Sequence, residues 1–318
     1  MTSPRPLSAF LSLILGACGG AGNGSSPVSA STPSPGLATV WRASPTTGFR
    51  ILDASIPNAG LVSGEVWLIV GTPQGMRLFR SRDGSNQSAA ETIAGLANAL
   101  DGTGLGPAET LPRQNASGGR ELYLLGLAPA GANRSVLFRL VETGGSFVRN
   151  PTRPVFDALA QDNTGFIGVP DVYRATDGRL RLMYVDKGGP RANARTAISS
   201  DQGATFAVES ANPFGDAALS GAADTNVDPA VLALSTGGYV AVTMRLAQFY
   251  IFTSADGLTF TPQATPPIGA STFLAGATGL FDPTLVQLAD GTVLLYCTME
   301  DAQRRSSVVQ AVLRLATP

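Results

Sequence analysis

The chain has 318 residues, a formal net charge of −1, 37 glycines, 22 prolines and only 14% charged residues. That balance argues against nucleic acid or an anionic membrane surface as partner, and the turn-rich, charge-poor composition predicts many short strands rather than charged surface helices. There is no histidine, which excludes Ser-His-Asp triads, Cys-His dyads and histidine-ligated zinc or iron. Cys18 and Cys297 are the only two cysteines, so with Cys18 committed to the role described next no disulfide framework forms.

The first predicted element is a secretory signal over residues 1–17. Arg5 precedes the apolar run Leu7–Leu15, which is too short to span a bilayer and ends in the small residues Gly16 and Ala17. Leu15-Gly16-Ala17-Cys18 resembles the lipobox of bacterial lipoproteins. The resemblance implies lipidation of Cys18, a cell-envelope location at the outer membrane or cell surface, and membrane contact through the lipid alone. Residues 18–37, rich in Gly, Ser and Pro, are predicted to be a flexible tether. Residues 38–318 form the predicted folded body.

A repeated unit fills that body. Prolines fall at 57, 112, 170, 229 and 283, in steps of 55, 58, 59 and 54. Some nine or ten residues after each comes an apolar run: Val66–Val70, Leu122–Leu125, Leu180–Val185, Tyr239–Thr243 and Val293–Cys297. Their length, their β-branched and aromatic content and their unbroken hydrophobicity predict strands buried on both faces. A further strand follows, such as Leu78–Ser81 or Tyr250–Thr253, and closes on a glycine turn. The expected fold is all-β: a five-bladed β-propeller of four-stranded antiparallel blades, with six blades as the alternative count. Only 35 residues follow Pro283, while 19 lie between Ala38 and Ile56. The N-terminal strand is therefore expected to complete the last blade and close the ring.

Ser199-Ser200-Asp201-Gln202-Gly203-Ala204-Thr205-Phe206 resembles the Asp-box repeat of sialidase-type propellers. Ser254, Asp256, Gly257 and Phe260 form a shorter variant, and Ser81-Arg82-Asp83-Gly84 a decayed one. Ser199, Asp201, Gly203 and Phe206, with their counterparts, are expected to be structural: the carboxylate caps its own turn, glycine supplies φ > 0, and the aromatic packs between sheets.

In a propeller with this strand order, one face carries the turns before each innermost strand and those after each second strand. The first set offers Asn58, Arg113, Asp171, Asp228 and Asp282; the second offers Asp186, Lys187, Arg245, Glu300 and Asp301. Polar groups from all blades therefore converge on one axis. Val169-Pro170-Asp171-Val172 and Val227-Asp228-Pro229-Ala230 are similar to motifs of the five-bladed glycoside hydrolase superfamily that includes family 43. The resemblance implies a carboxylate base, a carboxylic acid and a third carboxylate that tunes the acid, with Asp171, Asp228, Asp282 and Glu300 as candidates. Asn58, Arg113, Asp186, Lys187 and Arg245 are the candidate substrate-binding residues. The chain departs from that family by placing Ile56 and Leu111 where a base aspartate is wanted. A tyrosine nucleophile, Tyr173 or Tyr296, is a further candidate, although both lie in predicted strands. The competing readings are a glycosidase acting on glycans outside the cytoplasm, a non-catalytic propeller that captures an extracytoplasmic ligand, and a scaffold whose axial carboxylates hold Ca²⁺. A monomer is expected in each case.

Overall fold

Apolar runs without a polar break become the middle strands, because a strand covered on both faces has no solvent side to keep polar. A computed structural model describes residues 40–129, 134–162, 167–186, 193–209, 213–214 and 226–316. The signal segment, Cys18, the tether and Lys187 lie outside the described residues.

The chain opens with β1 (Val40–Leu52) and then builds the first blade from β2 (Ser55–Val62), β3 (Glu65–Thr72) and β4 (Gly75–Ser81). A fourth strand is reduced there to one bridge, Leu78 to Glu91. The second blade is β5 (Gly106–Gln114), β6 (Arg120–Leu127), β7 (Ser135–Thr143) and β8 (Ser146–Arg149), with β9 (Phe156–Asp157) also paired to β7. After the short helix α1 (Ala158–Asp162) comes the third blade: β10 (Ile167–Arg174), β11 (Leu180–Asp186), β12 (Asn193–Ser199) and β13 (Ala207–Val208). The fourth is β14 (Val227–Ala233), β15 (Tyr239–Arg245), β16 (Gln248–Ser254) and β17 (Thr261–Pro262). The fifth is β18 (Gly279–Gln287), β19 (Val293–Glu300) and β20 (Ser306–Ala316), and its outer edge is β1. The result is a five-bladed β-propeller.

The ring closes as the residue count requires. β1 pairs antiparallel with β20 from Val40↔Ala316 to Leu52↔Ser307, with a register shift between Pro45 and Arg50. The two ends of the described chain thus share one sheet.

Burial follows the same plan. Val66, Leu68, Leu122, Leu124, Leu182, Tyr184, Val240, Val242, Leu295 and Cys297 are all fully buried. The apolar residues form five clusters, each between two neighbouring blades. No blade can bury its own face alone, so each is stable only against the next. Cys297 is a buried free thiol in β19.

One expectation is corrected by the register. In four blades the innermost strand carries a bulge, with two residues facing one, at Ile56-Pro57, Val169-Pro170, Asp228-Pro229 and Asp282-Pro283. In the second blade the irregularity falls at Ala108, between the pairs Pro107↔Gly126 and Glu109↔Leu125. Pro112, which pairs with Leu122 well inside the strand, is not the counterpart of the other prolines: Leu111↔Tyr123 matches Thr284↔Tyr296, which puts Thr110 in the proline's place and Glu109 in that of Asp282. Arg113, opposite Glu121 next to the β5–β6 turn, lies at the other end of the strand from the bulge. Its Nη1 donates to the Val172 carbonyl of the next blade.

Candidate functional site

Each bulge forces one residue into the left-handed region: Ile56 at φ 52°, Val169 at 43°, Asp228 at 49° and Asp282 at 50°. For β-branched Ile56 and Val169 this is strained backbone, held only where surroundings fix it. A bulged residue also leaves the ladder, so its N–H needs another acceptor. Carboxylates of the preceding blade supply it in three of the four. The Val169 N–H donates to Glu109 Oε1 at 3.0 Å, and the Asp282 N–H donates to the Asp228 carboxylate. The Ile56 N–H donates to Thr298 Oγ1 at 2.8 Å and also reaches the Asp282 carboxylate. The Thr298 hydroxyl in turn donates to Asp282 Oδ2 at 3.0 Å.

A second tier runs just past the bulges. The Val231 N–H donates to Asp171 Oδ2 at 2.6 Å, and the Ala59 N–H to Thr284 Oγ1 at 3.0 Å. Asn58 occupies the same register position as Asp171 and Thr284 in the first blade and is buried, its Nδ2 making only a long 3.5 Å bond to the Ile56 carbonyl.

Glu109, Asp228 and Asp282 thus share one end of the axis, buried at 5%, 7% and 1% exposure. Asp171, in the second tier, is half-buried, and its charged neighbour is Arg113. Burial is the largest influence on all four and raises their proton affinity; the donated backbone bonds, the Thr298 hydroxyl on Asp282 and the Arg113 charge near Asp171 pull the other way and lose. Asp171 is pushed up to about 6. Glu109 is held well above the usual carboxylate range by burial and then by the Asp282 charge, and Asp228 is raised by the same two causes. Asp282 Oδ1 and Glu109 Oε2 are sealed from solvent with no hydrogen-bond partner. The arrangement can hold protons at neutral pH and offer carboxylates of unequal affinity, which is what acid–base chemistry needs.

The remaining candidates are engaged in other contacts. Glu300 ends β19 and pairs with Arg304 at 3.0 Å on the hairpin to β20. Asp301 caps that hairpin, accepting from the Gln303 and Arg305 N–H groups. Asp186 is buried and its Oδ2 meets Arg195 Nε at 2.6 Å. Arg245 is buried, with its guanidinium 5.8 Å from the Tyr250 ring centroid. Tyr173 and Tyr296 are buried and donate to the Gly257 and Gly84 carbonyls at 2.9 and 2.6 Å. Glu109 was the residue that sequence reasoning missed. Thr110 stands where the other blades have proline, so the repeat gave no signal for it, and Leu111-Pro112-Arg113 imitates the repeat two residues later. Among the described residues no group of three or more acidic or cysteine side chains is placed to hold a metal ion.

The turns Ser199–Phe206 and Ser254–Phe260 lie at the opposite end of the sheets. Asp201 accepts from the Ser199 hydroxyl (2.8 Å), the Thr205 N–H (2.9 Å) and the Thr205 hydroxyl (2.6 Å). Asp256 accepts from the Ser254 hydroxyl and the Leu258 N–H at 2.9 and 2.8 Å, and Asp83 receives the Ser81 hydroxyl and the Ser85 and Asn86 N–H groups in the decayed copy. The three turn glycines, Gly84, Gly203 and Gly257, each have φ > 0 and each lie against a tyrosine of the preceding blade. Phe206 and Phe260 pack between sheets.

Neither a protein-family model nor a curated protein matches the sequence. Solved structures do. A thermostable family-43 glycoside hydrolase aligns with a TM-score of 0.61 at 12% identity, over 87% of this chain and 96% of that one. A xylan β-1,4-xylosidase from Bacillus halodurans C-125 gives 0.62 at 14% identity over 85% of this chain, which spans 56% of that longer protein. An endo-1,4-β-xylanase from Bacteroides thetaiotaomicron VPI-5482 gives 0.59 at 16% identity, over 84% and 96% of the two chains. At these identities the likeness is one of architecture: the chain has the five-bladed propeller fold of the family-43 glycoside hydrolases.

Proposed function

We propose that the protein is a lipid-anchored envelope propeller that hydrolyses glycosidic bonds at its axis. Asp228 is the proton donor, and Asp171 is the carboxylate that remains largely ionised at neutral pH as base. Asp282 sets the proton affinity of Asp228 through its charge and through its own N–H. The observation that carries this reading is the unequal proton affinity of the axial carboxylates: Asp228 is raised by burial and by Asp282, while Asp171, with Arg113 as its charged neighbour, lies near 6. The fold shared with a xylosidase and a xylanase supports neutral plant-type glycans as the substrates to try first. Glu300, paired on its hairpin, has no part in this mechanism.

The test is a panel of aryl arabinosides, xylosides and sialosides, with xylan and arabinan oligomers, against wild type, Asp171→Asn and Asp228→Asn. Turnover by wild type that falls at least about a hundredfold in both variants is expected, as for loss of a general acid or base. Equal turnover in all three, or none in wild type, removes the enzyme reading. The second reading is a capture propeller whose carboxylates only join blades, and the backbone bonds they accept favour it. Glycan binding without turnover would establish it.

A further inference from the structure

We propose that Glu109 is the positioning residue of the axial site: it locks the strained Val169-Pro170-Asp171 turn of the neighbouring blade and so delivers Asp171 to the axis. The proposal rests on the reading of Asp171 as a working carboxylate. Its geometry, however, stands on its own.

Three observations meet at this turn. Val169 and Pro170 are the two residues of the bulge that face one on β11, so the Val169 N–H has no ladder acceptor. Val169 is β-branched with φ 43°, a conformation that relaxes to the extended region unless something holds it. Glu109 Oε1 accepts that N–H at 3.0 Å from the adjacent blade. Immediately beyond the latched residue, Pro170 fixes φ, and Asp171 Oδ2 accepts the Val231 N–H of the fourth blade. Releasing Val169 therefore swings a carboxylate that keeps some exposure. Other elements facing Glu109 contribute Asp282 and Asp228, both acidic, and their repulsion raises its proton affinity beyond what burial does. A neutral Glu109 still accepts through Oε1, so the latch does not require the charge. Glutamine at this position keeps the acceptor and leucine does not.

The experiment uses the full chain, comparing wild type with Glu109→Gln, Glu109→Leu and the shortened Glu109→Asp. Two readouts are taken: amide exchange at Val169, and the carboxyl titration of Asp171 followed by ¹³C NMR. Expected for Glu109→Gln is wild-type protection and an Asp171 midpoint still near 6. Expected for Glu109→Leu and Glu109→Asp is exchange at Val169 about tenfold or more faster, with a displaced Asp171 midpoint. If Glu109→Leu does not fold, Glu109→Asp decides, since it keeps a carboxylate but falls short of Val169. Unchanged exchange and titration in the folded Leu or Asp variant overturns the proposal, and so does a Gln variant that loses protection. Neither readout requires turnover, so a failed glycosidase panel leaves this result intact and the reverse also holds.

Discussion

Asp171→Asn is the substitution that most directly weighs function against stability. Asparagine keeps an oxygen for the Val231 N–H and removes only the charge. The native carboxyl is raised from 3.8 to about 6. A raised carboxyl binds its proton more tightly folded than unfolded, so its stabilising effect is present below pH 3.8 and is lost as pH climbs through 6. At about 1.4 kcal/mol per unit, the ionised group costs the fold roughly 3 kcal/mol above pH 7, and less to the extent that solvent reaches it. The variant should therefore match wild type at pH 4 and exceed it by ~1–3 kcal/mol at pH 8. For a domain of this size that is roughly 2–10 °C in melting temperature. Urea melts at pH 4.5, 6 and 8, followed by circular dichroism, give the difference at each pH. A variant less stable than wild type at pH 8, or a gap that does not open with pH, would refute the burial argument for Asp171.

Three other substitutions or additions follow from the same geometry. Gly203→Ala puts a methyl at φ 86° where it would overlap the Tyr123 hydroxyl, so a loss of ~2–4 kcal/mol is expected and a melt within 2 °C of wild type contradicts the packing of that turn. Cys18→Ala should abolish incorporation of labelled palmitate and release the protein from the membrane fraction; unchanged membrane retention would sink the lipoprotein reading. Calcium at about 1 mM, the weak end of extracellular affinities, should leave the melting temperature unmoved, because the described acidic side chains are not grouped to ligate it; a chelator-reversible rise would restore the scaffold reading.

The fold was legible because its signal is repeated. Five apolar runs, each bounded by turns, announce five middle strands, and the shortfall after Pro283 announces closure by Val40–Leu52. The site was legible only in part. Asp171, Asp228 and Asp282 stand beside the bulge prolines, so proline spacing found them. Glu109 stands beyond an irregularity of a different kind, where one residue rather than two interrupts the pairing. A period counted in residues cannot see that change, because a bulge alters register without altering composition. Pro112 then drew the alignment two residues along and carried Arg113 with it. The ion pairs of Asp186 and Glu300 were illegible for another reason: their partners Arg195 and Arg304 lie across a hairpin, and sequence spacing does not say which side chains will reach.

Three of the axial carboxylates divide by whether any of their surface stays open to solvent. Glu109 and Asp282 have one oxygen on a backbone N–H and the other sealed without a partner. Such a group cannot meet a ligand; it can only hold strained backbone and impose a field on its neighbours. Asp171 has one oxygen fixed on Val231 and keeps some exposure, so its orientation is set before any ligand arrives. The enzyme and scaffold readings therefore use the same residues in two different tiers of the same construction. Apolar substitution at a sealed carboxylate leaves a bulge N–H without its acceptor and should lower stability. Neutral substitution at the open one relieves a buried charge, and should raise stability while removing whatever chemistry the axis performs.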